Sequence, residues 1–218
     1  FYTSIGTALA LEGDVFVAGG CTDSATIYDG GVAYVFVRRD GMWQEQQYLP
    51  GPALRDATFG YSVAIAGNML AIGAPRAQRV KAGEADSPLP NGELYLFERD
   101  NENWVQTSVL SAPVPRQSDR FGTSIVITPS LLAVGAMGDA SAARGLQGDF
   151  NDSSAPGAGA VYLYARQSGE PTRTTFLKSE DTATGIGFGR AMVASERTLV
   201  VAAPYEAEAK SGAVFVFE

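Results

Sequence analysis

"FGYSVAIAGNMLAIGAP", residues 59–75, decides the fold, because the chain says it four times. "IGTALALEGDVFVAGGC" (5–21), "FGTSIVITPSLLAVGAM" (121–137) and "FGRAMVASERTLVVAAP" (188–204) align with it without a gap. Within it, Ser62–Ile65 and Leu70–Gly73 are short β-prone runs on either side of Ala66-Gly67-Asn68-Met69. The matching turns are Glu12-Gly13-Asp14, Thr128-Pro129-Ser130 and Ser195-Glu196-Arg197. Such Gly, Asn, Asp, Pro and Ser clusters between apolar runs read as hairpin turns.

A second block follows each copy: "GVAYVFVRRDGMWQEQQYL" (31–49), "GELYLFERDNENWVQTSVL" (92–110), "GAGAVYLYARQSGEPTRTTFL" (157–177) and the short "GAVFVFE" (212–218). Tyr34 and Phe36, Tyr95 and Phe97, and Tyr162 and Tyr164 recur with the period of two that strand faces require. A turn and a further strand follow, Trp43–Leu49 or Trp104–Leu110. Pro171 stands in the Trp position of the third copy, which suits an outermost strand. Each unit is therefore four antiparallel strands, with 54 to 67 residues from one "FG" glycine to the next. Four-stranded meanders repeated at this spacing predict an all-β fold, a β-propeller of four-stranded blades. The units are about 5–58, 59–120, 121–187 and 188–218, the last one incomplete. A β-sandwich is the alternative, and it does not account for four ungapped copies.

Length variation is confined to one kind of connection. The two hairpin turns of each unit keep constant length. Loop 2–3 holds 9 residues after Cys21, 16 after Pro75, 21 after Met137 and 7 after Pro204. In a meander this loop and the inter-blade link share one end of the sheet, so every insertion is expected on one face. Variable loops on a rigid scaffold commonly carry binding. The expected ligand-binding face is thus 22–30, 76–91 and 138–158; neutral tolerance of loop length is the alternative.

Composition excludes several classes. The net charge is −8 with no basic cluster, which argues against nucleic acid or an anionic membrane as partner. Histidine is absent and Cys21 is the only cysteine, so an intrachain disulfide, a Cys/His zinc site and histidine acid–base chemistry are ruled out. No run is apolar enough to span a bilayer as a helix.

The stretch "FGYSVAIAGNMLAIGAP" followed by "GELYLFE" resembles the FG-GAP repeat of integrin α-subunit propellers. It is closer still to bacterial integrin-α-like repeat proteins, and the likeness runs over essentially the whole chain. The resemblance implies a propeller of usually seven blades, of which 1–218 would be a single domain or a piece. It implies a non-enzymatic adhesion or recognition role at an extracellular, periplasmic or cell-surface location. Calcium loops between strands 1 and 2 are common in such repeats. Here those turns are too short and too poor in carboxylates to cage an ion.

Other candidates are weighed residue by residue. Asp149, Asn151 and Ser153 stand at alternate positions in "GDFNDSS", as in the opening of a calcium loop. The expected glycine and twelfth-position glutamate are missing, so a solvated turn with Asx hydrogen bonds is the competing reading. No other cofactor is expected. Asp56, Asp119 and Asp181 recur in the inter-blade links and read as solvated loop residues rather than an active centre. Trp43 and Trp104 are expected to pack between blades, and Cys21 to be a small buried side chain. A protein or cell-surface ligand is the expected partner, with a lectin-like glycan-binding propeller as the alternative and a carboxylate glycosidase third. The strand edge at Phe215 and Phe217 makes self-association a further option.

Overall fold

The computed structural model describes residues 3–23, 30–54, 56–77, 91–146, 148–166, 171–205 and 212–218. Every regular element among them is a β-strand, and all pairings between strands are antiparallel. The first sheet is β1 (Thr3–Glu12), β2 (Val15–Asp23), β3 (Val32–Arg39) and β4 (Met42–Pro50), in that order. The second is β5 (Ser62–Ala66), β6 (Met69–Ala74), β7 (Glu93–Asp100) and β8 (Asn103–Leu110). The third is β9 (Phe121–Ile127), β10 (Leu131–Ala136), β11 (Ala160–Ala165) and β12 (Thr172–Leu177). The fourth has three strands, β13 (Ala191–Ala194), β14 (Leu199–Ala203) and β15 (Ala213–Phe217). These are the four blades of a propeller, the last one incomplete.

Consecutive inner strands lie side by side: β1 against β5, β5 against β9, β9 against β13. Arg190, just after "FG" in the fourth unit, lies 5.8 Å over the ring of Tyr61, the same position in the second. The segments after "FG" thus converge on a common axis.

The repeated motif exists because backbone meets backbone at each junction. A Cβ on Gly19, Gly73 or Gly135 would come within about 2 Å of the carbonyl oxygen of Gly60, Gly122 or Gly189 in the next blade (2.0, 2.2 and 2.2 Å). Ser62 and Ser124 donate to the Gly122 and Gly189 oxygens at 2.7 Å, tying each sheet to the one after it. The aromatic of "FG" fills the space beside this contact. Phe59, Phe121 and Phe188 are buried, each edge-on to an aromatic of its own third strand at 5.3 to 5.5 Å. Gly73→Ala should cost about 1–3 kcal/mol of stability, because neither the Gly122 backbone nor Ser62 can withdraw. An unchanged urea midpoint would show that the sheets do not need this approach.

Three apolar clusters fill the three junctions. At each junction the face carrying the third-strand aromatics of one sheet packs on the opposite face of the sheet before it. Gln47 on β4 also clamps β8, donating to the Trp104 carbonyl at 3.0 Å and accepting from its N–H at 2.7 Å. Trp104 is 2% exposed, but its counterpart Trp43 is 42% exposed, contrary to the expectation that both pack between blades. The reason is position: no sheet precedes the first among the described residues. Cys21 is half-buried, with its sulfur 3.6 Å from the Thr7 hydroxyl.

Candidate functional site

The loop ends gather on one side of the sheets, and backbone hydrogen bonds fix them there. Arg76, Gly138 and Tyr205, each early in a loop 2–3, donate to the carbonyls of Ala57, Asp119 and Ile186 in the links. At the far ends of these loops, Gly30, Asn91 and Ala158 accept from Phe59, Phe121 and Phe188. Loops and links therefore share an edge in every junction. Of the expected recognition loops, 138–158 is described almost completely; most of 22–30 and 76–91 lies outside the described residues.

Loop 138–158 is held down against its own blade. Phe150 packs on Phe176 and Tyr162, with ring centroids 4.5 and 6.4 Å away. Leu146 bridges to Leu177 at the open edge of β12, and the Gly145 carbonyl accepts from the Lys178 N–H. Asp149 and Asp152 shape the chain: Asp149 accepts from the Asn151 N–H at 2.7 Å, and Asp152 from Ala142 and Ser154 at 2.6 and 3.0 Å. These bonds hold the Asp152 carboxyl below its ordinary range. Asp149, Asn151 and Ser153 thus sit in an Asx-turned segment. Among the described residues no three Asp, Glu, Cys or His side chains come together as a metal cage.

Beneath the loop lies a charged cluster that the sequence pattern concealed. Lys178 is fully buried, and its Nζ donates to Asp139 Oδ1 at 2.8 Å. The same carboxylate accepts from the Ser141 N–H at 3.0 Å and, through Oδ2, from the Tyr162 hydroxyl at 2.9 Å. Burial lowers the Lys178 pKa against the pull of Asp139, and burial next to Asp139 raises that of Tyr162. Asp119 is 1% exposed; its Oδ2 accepts from the Arg116 N–H at 2.7 Å, while Oδ1 is buried with no hydrogen-bond partner. Burial, with Asp139 as a smaller contribution, pushes its pKa up to about 7. Asp56 and Asp181 are exposed, as read from the sequence, but Asp119 is not a solvated loop residue.

Position in the repeat explains the difference. Asp119 occupies the slot two residues before the "FG" Phe, filled elsewhere by buried Ala57 and Ile186. Asp139 replaces buried Ala77, and Lys178, just past β12, stands where Pro50 ends β4 and Ser111 follows β8. Where the second unit meets the third, Asp119 and Asp139 occupy slots that are buried and apolar elsewhere, and with Lys178 they form a buried ionic network. Aligning the copies slot by slot is the signal that would have found it.

Above this network the loop face opens into a pocket of about 330 Å³. Links, a loop and the next blade all contribute: Ser118 and Arg120, Gly138 and Pro156, Gly185 and Tyr205. Arg120 and Tyr205 are exposed, the latter at 59%, and supply a cation and an aromatic at its rim. The buried carboxylates do not line it. The pocket offers a concave shape with one positive charge and a ring at its rim.

The family comparison agrees with this architecture. The FG-GAP repeat family profile matches residues 43–97 and 104–164, together just over half of the chain. No curated protein matches it. Among solved structures, it is similar to a crystal structure of xylan beta-1,4-xylosidase from Bacillus Halodurans C-125, at 13% identity and a TM-score of 0.45. That likeness covers 99% of this chain and 39% of the other, so the chain spans about two fifths of that protein's length.

Proposed function

The chain belongs to the FG-GAP repeat family, and on that premise we propose that it is a non-enzymatic recognition module whose loop face binds a protein partner at a surface outside the cytoplasm. The observation that carries this reading is the pocket assembled from two links, one pinned loop and Tyr205 of the next blade. Pre-formed concave sites with a few placed polar groups are where ligands settle. No helix among the described residues is long and apolar enough to cross a membrane. Against catalysis, Asp119 and Asp139 are 1% and 4% exposed, so neither carboxylate of this cluster can reach a sugar. Glycan binding in repeated pockets is the second reading. It is disfavoured because the pocket's Arg120 and Tyr205 answer to Thr58 and Gly138 in the preceding junction, not to the same residue types.

A displayed peptide library selected on the wild-type chain, with counter-selection on an Arg120→Glu/Tyr205→Ala variant, tests the reading. Peptides that bind wild type and lose at least about tenfold on the variant are expected. Saturable, sugar-competable binding on a glycan array, without such peptides, would replace the protein partner by a carbohydrate.

A further inference from the structure

Lys178, Asp139 and Asp119 bring a buried amine, a buried carboxylate and a buried acid together, and the loop-face pocket uses none of them. Lys178 Nζ stands 2.8 Å from Asp139 Oδ1, with the two side chains 0% and 5% exposed. Asp139 Oδ1 also accepts from the Ser141 N–H at 3.0 Å, and Oδ2 from the Tyr162 hydroxyl at 2.9 Å. The carboxyl is therefore held in one orientation against the amine. Asp119 lies beside the pair: its carbonyl accepts from the N–H of Gly138, the residue before Asp139. Its carboxyl is fixed through Oδ2 alone, which leaves Oδ1 buried with no hydrogen-bond partner. Phe121, Phe150, Tyr162 and Phe176 pack together in the same junction and make it apolar.

Such a site favours neutral groups over ions. Taking a lysine and a carboxylate out of water costs free energy that their attraction need not recover. Burial lowers the Lys178 pKa toward the free amine, and a desolvated lysine amine is a nucleophile. Burial pushes the Asp119 pKa up to about 7, so its carboxyl carries a proton where an ordinary one has lost it. Two reacting groups held in contact need no bimolecular encounter, and well-oriented pairs reach effective concentrations of about 10⁵–10⁸ M. An amide between them is uncharged, so its formation removes two ions from the interior.

We infer that Lys178 and Asp139 join as an intramolecular amide, Nζ to Cγ, with Asp119 relaying the proton. The step is a condensation and needs no co-reactant. One proton passes from the Lys178 ammonium to the Asp139 carboxylate, giving an amine and an acid. The Nζ lone pair then attacks Cγ, and one Cγ–Oδ bond breaks with its electron pair staying on oxygen. That oxygen leaves as water, carrying its own proton and one that Asp119 delivers. Asp119 recovers a proton from Nζ and ends as it began. The bond ties the start of loop 138–158 to the end of β12, across 39 positions of a chain whose single cysteine rules out an intrachain disulfide. Such a closure restricts the unfolded chain as a disulfide does. It involves neither the pocket nor a partner, so it stands or falls independently of the recognition reading.

The test is mass spectrometry of the denatured chain, followed over time after cell-free synthesis, for wild type, Asp119→Asn and Lys178→Arg. Circular dichroism checks that the sheets form. Wild type should become lighter than its sequence by one water. Trypsin should then release a single species joining 121–144 to 174–190, uncut at Lys178. Asp119→Asn keeps both reacting groups and should link at least about a hundredfold more slowly, the usual range for losing a positioned acid. Lys178→Arg keeps the positive charge and should stay at its full mass. A folded wild type at its full mass, with a free peptide 174–178, overturns the inference. A water loss that Lys178→Arg retains also overturns it, by placing the dehydration elsewhere. Linkage of Asp119→Asn at the wild-type rate overturns the relay.

Discussion

Replacing Lys178 by Met should destabilise the chain by about 3–5 kcal/mol, a large share of the roughly 5–15 kcal/mol that holds a typical domain folded. Lys178 is fully buried, and its ammonium is the only cation bonded to Asp139 among the described contacts. Removing it leaves a carboxylate out of water with only the Ser141 amide and the Tyr162 hydroxyl to offset its charge. The double variant Lys178→Met/Asp139→Asn should be markedly more stable than the single one, because it removes the orphaned charge with its partner. Urea midpoints of the wild type, both single variants and the double variant measure this coupling. If Lys178→Met unfolds at the wild-type midpoint, the pair contributes nothing and the burial of Lys178 has been misread.

The second large effect is a pH dependence set by Asp119. Its carboxyl holds a proton more tightly in the folded chain, near pH 7, than in the unfolded chain, near 3.8. Between those values the native state keeps a proton that the unfolded state has released. Stability therefore falls as pH rises through that window, by up to about 4 kcal/mol, and is level above it. The cause is mainly burial, reinforced by Asp139 and opposed by the Arg116 amide and by the charges of Arg116 and Lys178. Asp119→Asn cannot ionise, so it should flatten the slope and leave the variant more stable than wild type at pH 8. Its advantage should vanish near pH 4. Equal slopes for the two chains between pH 4 and 8 would assign the dependence to other groups.

Both effects sit where the second unit meets the third, and this is where sequence reading stopped short. The fold was legible because its cause is local and repeated: strand period, turn residues, and glycines at fixed offsets that let sheets touch. Even the strand limits follow to within a residue: Ser62–Ile65 and Leu70–Gly73 are expected, and Ser62–Ala66 and Met69–Ala74 are found around the Gly67 turn. The buried network was not legible, because a lysine after a strand or an aspartate in a link ordinarily faces water. What buries Lys178 is loop 138–158 folding back through Phe150, Gly145 and Leu146, contacts far apart in sequence. Asp119 was hidden by being compared with Asp56 and Asp181 as a residue type. Compared with Ala57 and Ile186 as a position, it stands out as a charge in an apolar slot. Trp43 shows the converse limit. Its strand resembles that of Trp104, but burial depends on whether a sheet lies in front.

The loop face then becomes a surface whose mobile-looking length is anchored from below. A pinned loop presents its rim without first having to be ordered, which reduces the entropic cost of binding. The polar network and the pocket meet at Asp119, whose carbonyl accepts from the Gly138 N–H and whose carboxylate accepts from the Arg116 N–H in the link that carries Arg120.

Amide hydrogen exchange of the chain with and without a peptide selected on the wild-type loop face tests the central claim most directly. Protection confined to 117–120, 138–157, 185–187 and Tyr205 is the predicted footprint. Protection at the opposite hairpin turns instead, around Gly67, Asn101, Pro129 and Glu196, would place recognition on the wrong side of the propeller and contradict it.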